Sequence, residues 1–253
     1  MDVVHGIDAL RPELGPVFVV VGVFDGLHLG HAYLLEHLVA EAAARDARPA
    51  VITFDHHPDE VLMGKAPPLL LDAGERLVRL EAAGVAVTVV QSFDEALRQT
   101  PYHVFVERIR SRVALTGFLM TPDAAFGFER RGTPSTLAEL GSRDGFAVLV
   151  VPPFSLDGRD VRSSTIREAI ASGDLAGAAR LLGRPVTITG SIGAAADGRT
   201  RLDFPLPVAL PPDGDYAAHV DGRRLSLRIE RGDAYLLGDV SDPRVTVVLA
   251  APP

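Results

Sequence analysis

The chain has 253 residues, 47% of them hydrophobic, with no low-complexity tract, so it can bury an ordinary core in one large or two modest domains. Its formal net charge is −8 and its only lysine is Lys65. That balance excludes the basic surface of a nucleic-acid-binding protein and leaves arginines, histidines, backbone N–H groups or a metal ion to hold any anion. Cysteine is absent, which excludes disulfides and thiolate ligands and fits the cytoplasm. The longest apolar run near the N-terminus, Val17 to Val21, falls far short of the roughly 18 residues of a membrane span and follows no basic region, so no signal peptide, transmembrane helix or membrane partner is expected.

From Pro16 to about Arg184, short β-branched runs alternate with helical segments, the pattern of βα units closing a parallel sheet. The predicted strands are Val17 to Val23, Ala50 to Phe54, Val85 to Gln91, Leu115 to Met120 and Phe146 to Val151. The predicted helices are Gly30 to Arg45, Asp72 to Ala83, Pro101 to Arg112, Thr136 to Asp144, Thr165 to Ser172 and Leu175 to Leu182. Asp72 with Glu75 is spaced as a capping box, Gly84 suits a helix C′ position, and Thr100 before Pro101 reads as N-cap then N1.

After Pro185 the helical period disappears. Alternating runs punctuated by Asp213-Gly214 and Asp221-Gly222 predict a second, all-β domain, short enough to be only a small barrel or sandwich. The expected fold class is α/β, a doubly wound parallel sheet of five strands over residues 1–185, followed by a small β domain over 186–253.

Four constellations carry chemistry. In "GVFDGLHLGH", Gly22 to His31, a strand enters a helix through a Gly-rich turn, which places unpaired helix N–H groups at the carboxyl edge of the sheet. Gly26 and Gly30 let backbone approach a ligand, and His28 and His31, at i and i+3, are spaced to face one side near the helix start. Such groups stabilise charge building on a phosphate. An isolated histidine pair would merely end a strand, but the glycines, the apolar run before them and Phe24-Asp25 argue for an anion site, and the spacing matches the HxGH signature of the nucleotidyltransferase superfamily.

In "VRSSTIREAI", Thr165 and Glu168 are spaced as a capping box, leaving N–H groups and Arg167 to face an anion. In "VITFDHHPDEVL", the spacing of Asp55, His56, His57 and Asp59 matches no usual helical zinc pattern, so a substrate-facing loop is preferred and no protein-held metal is assigned. The fourth, "TPDAAFGFERRGTPSTL", is a Gly/Pro-punctuated loop bearing Phe126, Phe128, Arg130 and Arg131; it reads either as a solvated loop with one buried aromatic or as a ring-binding lid.

With these motifs in order, the sequence resembles the N-terminal FMN adenylyltransferase module of the prokaryotic bifunctional riboflavin kinase/FAD synthetases over about residues 16 to 185. The matching stretches are the GxFDGxHxGH turn at Gly22 to His31, a TFDPHP-like loop at Thr53 to Pro58, "SFDEALRQTPYHVFVERI", a DFxFG…GT-like loop at Asp123 to Thr133, and the serine-rich IR motif before "GDLAGAARLLGRP". The resemblance implies transfer of AMP from ATP to the FMN phosphate, giving FAD and pyrophosphate, with Mg²⁺ on the phosphates. It implies that His28 and His31 hold the ATP phosphates, that Arg167 with Ser163, Ser164 and Thr165 holds the pyrophosphate end, and that Gly22, Phe24, Asp25, Gly26 and Gly30 shape the nucleotide pocket. Phe54, His57, Pro58, Asp123 and Phe126 would lie towards the flavin.

There are departures. His56 replaces the proline of DPHP, Ala124 replaces the first aromatic of DFxFG, Thr121 stands for a glycine, and Arg162 stands for the leading serine before Ile166-Arg167. Most of these changes fall on the acceptor side. In the β domain, "GRTRLDFPLPVALPPDGDYAAHV" has the lilt of the kinase segment, yet Leu206-Pro207-Val208 occupies the place of Thr-Ala-Asn, and the stretch after Val220 is short. The expectation is an FAD synthetase-like enzyme without riboflavin kinase activity. Two alternatives stay open: an HxGH paralogue using another phosphorylated acceptor or another NTP, and a non-catalytic nucleotide- or flavin-binding regulator. The sequence does not specify an oligomeric state.

Overall fold

The computed structural model of the chain describes residues 1–196, 198–238, 240 and 242–250; residues 197, 239, 241 and 251–253 of the expected second domain lie outside these. The chain divides into two compact units. One comprises Met1–Phe24, Gly30–Pro67 and Leu77–Phe154; the other comprises Asp25–Leu29, Pro68–Arg76 and the chain from Ser155 onward.

The first unit is built on a parallel sheet of six strands: β1 (Asp2–His5), β2 (Val17–Val21), β3 (Arg48–Phe54), β4 (Val87–Gln91), β5 (Leu115–Met120) and β6 (Ala147–Val150), in the order β1-β4-β3-β2-β5-β6. The prediction of five strands missed β1. Only Val4 of its four residues is buried, so this edge strand lacks the apolar run that marks β2 to β5. The central strand β2, VFVVV, is buried along nearly its whole length, as a parallel strand covered on both faces must be. Its register sets Val19 beside Ala50 on one side and Phe118 on the other. Val17, Val19, Ile52, Val89, Phe118 and Met120 belong to the main core. The Phe18 ring lies under the Arg45 guanidinium, 5.0 Å from its centroid.

Among the described residues the α-helices are α1 (Leu29–Ala43), α2 (Pro58–Met63), α3 (Ala73–Ala82), α4 (Glu95–Arg98), α5 (Tyr102–Arg110), α6 (Pro134–Asp144), α7 (Ser163–Ala171) and α8 (Leu175–Leu182); α7, α8, Leu29 of α1 and the first four residues of α3 belong to the second unit. Asp72 Oδ1 accepts from the N–H groups of Gly74 (2.9 Å) and Glu75 (3.2 Å), as an N-cap should. The expected Thr100 cap is corrected: α5 starts at Tyr102 with Pro101 at its N-cap, and Thr100 Oγ1 instead donates to the Ala96 carbonyl at the end of α4. The sequence reading also missed α2 and α4, which are too short to show a helical period.

In the second unit a two-residue hairpin, β7 (Ser155–Leu156) with β8 (Arg159–Asp160), precedes α7. Six antiparallel strands then follow: β9 (Thr187–Ala196), β10 (Arg199–Asp203), β11 (Gly214–Val220), β12 (Arg223–Glu230), β13 (Asp233–Leu237) and β14 (Arg244–Leu249). They close as a barrel in the order β10-β13-β12-β11-β14-β9, so the choice between barrel and sandwich falls to the barrel. Closure removes sheet edges. Alternation along β12 and β14 buries Leu227, Ile229, Val245, Val247 and Leu249. Asp221 and Gly222 join β11 to β12 with φ of 50° and 77°, the signature of a type I′ turn. Asp213-Gly214 is not such a turn: Gly214 opens β11 in extended conformation, and the Asp213 carboxylate accepts from the Arg231 N–H at 3.0 Å.

Candidate functional site

Within the first unit, the chain runs outward along β2 and β3 and across to β4, then returns to β5 and β6 on the other side of β2. The switch point is therefore between β2 and β5, where parallel sheets bind ligands at their carboxyl edge. The stretches that follow β2, β3 and β5 begin at Gly22, Asp55 and Thr121, and all three carry motifs singled out from the sequence.

The turn after β2 is strained. Phe24, Gly26 and Leu27 have φ of 54°, 85° and 38°, and for the two non-glycine residues this left-handed backbone costs on the order of 1 kcal/mol or more each. In the first unit, Gly22 N–H donates to the Ile52 carbonyl (3.0 Å) and Thr53 Oγ1 donates to the Val23 carbonyl (3.0 Å), pinning the start of the turn to β3. The Phe24 ring is buried and lies 5.1 Å from the His31 ring, tilted by 48°.

In the second unit, Asp25 is 3% exposed and saturated with donors. Its Oδ1 accepts from the Leu70 and Leu71 N–H groups at 2.9 and 3.1 Å, and its Oδ2 accepts from Arg167 Nη2 at 2.5 Å. The Asp25 carbonyl accepts from Ser163 Oγ at 3.0 Å, and Arg167 Nε donates to the Pro68 carbonyl at 2.7 Å. The next two carbonyls of the turn, those of Gly26 and Leu27, accept from Arg184 Nη2 at 2.7 Å and Nη1 at 3.5 Å. A Cβ at Gly26 would stand 3.0 Å from Leu70 Cδ1, so this backbone is also packed tightly against the 68–71 segment.

His28 is 4% exposed, and its pKa is pushed down from 6.5 to about 4, first by burial and then by the charges of Arg184 and Arg167. At neutral pH it is an uncharged imidazole that donates through one ring nitrogen only. The two arginines carry the positive charge beside it.

The serine-rich motif departs from expectation in one respect. Helix α7 begins at Ser163, not Thr165, with Arg162 at the N-cap and no side-chain cap, so Thr165 and Glu168 form no capping box. Ser164 and Thr165 sit exposed in the first turn of α7, where helix N–H groups are unpaired and anions are favoured. Arg162 pairs with Asp160 at 3.2 Å.

Among the residues expected on the acceptor side, all in the first unit, Phe54 packs edge-on against Phe93 with centroids 5.3 Å apart. His57 caps α2, its Nδ1 accepting from the Asp59 N–H at 3.2 Å with Pro58 at N1. Asp55 Oδ1 accepts from the N–H groups of His56 and Phe93. Asp123 accepts from Thr121 Oγ1 at 2.8 Å, and its carbonyl from Arg130 Nη2 at 3.2 Å. Phe126 is half-buried, with its ring 5.1 Å from that of Phe105 and 5.7 Å from that of Phe118, and its backbone pairs with Gly132. That loop is thus anchored through Phe126 to the core rather than free in solvent.

The structure therefore gathers Asp25, Gly26, His28, Ser163 and Arg167 in one unit and Gly22, Phe24 and His31 in the other, with the flavin-side candidates in two separate loops. Sequence reasoning missed Arg184 and the Pro68–Leu71 segment. The first shows only as an arginine between Gly183 and Pro185, and the second supplies backbone N–H groups, which have no sequence signature.

Fold and motif together define an α/β protein in which strand β2 leads along the chain into an HxGH-type nucleotidyltransferase turn. The FAD synthetase family profile matches residues 11–165, and the chain belongs to that family. It is 34% identical over 194 residues to the bifunctional riboflavin kinase/FMN adenylyltransferase of Haemophilus influenzae, covering 76% of this chain and 63% of that protein. It is 31% identical over 233 residues to the Escherichia coli K12 protein of the same name, covering 88% and 74%. The Pseudomonas fluorescens relative is covered over 62% of its length, so the chain spans less than two thirds of that protein and of the Haemophilus one. A solved structure described as a macrolide-efflux protein from Streptococcus pneumoniae has the same fold, with a TM-score of 0.79 at 22% identity over 98% of this chain and 90% of that one. No helix among the described residues is long and apolar enough to cross a membrane.

Proposed function

We propose that the chain transfers AMP from ATP to FMN, forming FAD and pyrophosphate. An FMN phosphate oxygen attacks the α-phosphorus in line, the bond from that phosphorus to the bridging oxygen of the β-phosphate breaks, and pyrophosphate leaves with the electron pair. The observation that carries the reading is the strained HxGH turn, fixed on the Asp25 side by Ser163, Arg167 and Arg184. A rigid turn supplies positioning and preorganised donors, which is what an enzyme contributes to such a displacement.

In this reading the neutral His28 imidazole and His31 donate to ATP phosphate oxygens, and Ser164, Thr165 and the open N–H groups of α7 receive the pyrophosphate end. Arg167 supplies charge there, by sharing or exchanging its Asp25 contact. Gly22, Phe24, Gly26 and Gly30 shape the nucleotide pocket. Phe54, His57, Pro58, Asp123 and Phe126 border the flavin.

Mg²⁺ fits this arrangement as an ion carried on the triphosphate. The one carboxylate in the Gly22 to His31 turn, Asp25, already accepts from two backbone N–H groups and a guanidinium, so phosphate oxygens and water are its natural ligands. When bound, it neutralises charge on those oxygens. The substrates assign the reaction to the cytoplasm, with no part for nucleic acid or a membrane.

Riboflavin phosphorylation is not part of the proposed function. At the place of the kinase Thr-Ala-Asn, Leu206-Pro207-Val208 offers no hydroxyl or amide side chain, and its backbone is used structurally: Leu69 N–H donates to the Pro207 carbonyl at 2.8 Å and Ala209 N–H to the Leu69 carbonyl at 2.9 Å.

The test is pyrophosphate release by purified, flavin-free protein with Mg-ATP and FMN, compared with riboflavin as acceptor. Release with FMN that His28→Ala reduces on the order of 10² to 10³ in rate supports the reading. Silence with FMN in the presence of bound ATP would move it to another acceptor, and riboflavin phosphorylation would refute the assignment of the barrel.

A further inference from the structure

We infer that Arg184 is a positioning residue of the transfer site, holding the Gly26-Leu27 backbone so that the following His28 is aimed for phosphate. The inference rests on the proposed adenylyl transfer for its consequence in rate, but on geometry alone for the contact.

Three observations in the second unit point the same way. The Gly26 and Leu27 peptides have left-handed φ, a conformation that needs outside support at Leu27 because its Cβ crowds the backbone. Their carbonyls are the groups Arg184 reaches, at 2.7 and 3.5 Å, and its Nη1 also lies 3.4 Å from the Leu182 carbonyl at the end of α8. One planar guanidinium thus ties the turn to a helix terminus. A guanidinium suits this task better than an ammonium, because its fork spans several carbonyls in a fixed geometry.

The connection is also specific in direction. Carbonyls drawn towards Arg184 leave the opposite sides of the same peptides, their N–H groups, pointing away from it, and His28 is the next side chain along. Asp25, on the other flank of Gly26, is fixed independently by Leu70, Leu71 and Arg167. The turn is therefore clamped at both ends, by a carboxylate accepting donors before Gly26 and by a guanidinium donating to carbonyls after it. Loss of the second clamp frees the His28 end alone.

The experiment uses the full chain with Arg184→Ala and Arg184→Lys. Amide hydrogen exchange in the ligand-free protein is read for peptides covering residues 24–29 and, as a control, for peptides from the barrel strands. The inference predicts that exchange in 24–29 accelerates at least about tenfold in Arg184→Ala while the barrel peptides keep their wild-type rates. It further predicts that FAD formation falls on the order of 10²-fold in kcat with little change in KM for FMN, and that millimolar guanidinium restores part of the Arg184→Ala rate. Arg184→Lys, which keeps the charge and loses the fork, should lie near Arg184→Ala in both readouts and serves in its place if the alanine variant fails to fold.

Unchanged exchange in residues 24–29 overturns the inference, whatever happens to the rate, because Arg184 would then act directly on substrate or not at all. Global acceleration of exchange in both variants overturns it too, by making Arg184 a support of the whole unit. If the wild-type protein forms no FAD, the functional reading fails, while the exchange arm still decides whether Arg184 holds the turn.

Discussion

The half-buried Arg167 and the buried Asp25 form an ion pair, 2.5 Å from Nη2 to Oδ2, with side chains 17% and 3% exposed. Asp25 is thereby a joint between the HxGH turn, helix α7 and the 68–71 segment, and Arg167, the residue assigned to the pyrophosphate end, is held by protein groups.

The pair makes a direct prediction about stability. Asp25→Asn keeps an acceptor for the Leu70 and Leu71 N–H groups but leaves the Arg167 charge uncompensated, and should cost about 2–4 kcal/mol in urea unfolding. The double variant Asp25→Asn with Arg167→Gln should be less unstable than the sum of the two single changes, since each removes the same interaction. Additive losses would show that the two side chains act separately.

Acid sensitivity should be traceable to His28. Its folded pKa of about 4 lies below the ordinary 6.5, so between those values the unfolded chain takes up a proton that the folded protein refuses. Stability from this group is complete above about pH 6.5 and is lost as pH falls towards 4, by about 3 kcal/mol over the full window. His28→Asn should therefore lose less stability than wild type between pH 7 and pH 4.5, measured by urea midpoints at each pH. Parallel profiles for the two proteins would contradict the burial of a neutral imidazole.

Two glycines should differ in what alanine does. At Gly26, with φ of 85°, the new Cβ meets Leu70 Cδ1 at 3.0 Å and Leu70 Cβ at 3.2 Å, so the leucine must give by a few tenths of an ångström; at Gly127, with φ of 75°, it meets the backbone nitrogen and Cα of Tyr102 at 2.6 Å, which demands a larger backbone shift. Gly26→Ala is expected to cost about 1–2 kcal/mol, mostly backbone strain, and Gly127→Ala more. Thermal unfolding of both variants orders them.

Capping and ligand binding separate at two threonines. Thr133 is a true cap of α6: its Oγ1 accepts from Thr136 N–H at 3.3 Å, and Thr136 Oγ1 accepts from Thr133 N–H at 2.9 Å. Thr133→Ala should lower stability by about 1 kcal/mol without changing ATP binding. Thr165 is exposed and caps nothing, so Thr165→Ala should change stability by less than about 0.5 kcal/mol while weakening Mg-ATP binding, as read by calorimetry.

What the sequence made legible follows from the range of the interactions. Val17 to Val21 and Leu115 to Met120 announce buried strands because burial needs only an apolar run, and Asp72 caps α3 through bonds within three residues. The β1 edge strand, with one buried side chain, carries no such signal. Thr165 with Glu168 satisfies the spacing of a capping box, yet the helix begins two residues earlier, where Ser163 is drawn to the Asp25 carbonyl across 138 positions of sequence. Tertiary contact overrode local preference there. The HxGH turn itself was legible as residue types; the groups that hold it, Arg184 and the N–H groups of Leu70 and Leu71, were not, because each reaches it from a distant part of the chain.

The most direct measurement of the central claim is product identification by mass spectrometry after incubating flavin-free protein with Mg²⁺, FMN and ATP labelled with ¹⁵N in the adenine ring. The account predicts FAD carrying the full adenine label, formed in step with pyrophosphate and strongly reduced in His28→Ala. Bound ATP with no labelled FAD, or labelled product only when another phosphorylated acceptor replaces FMN, would contradict it.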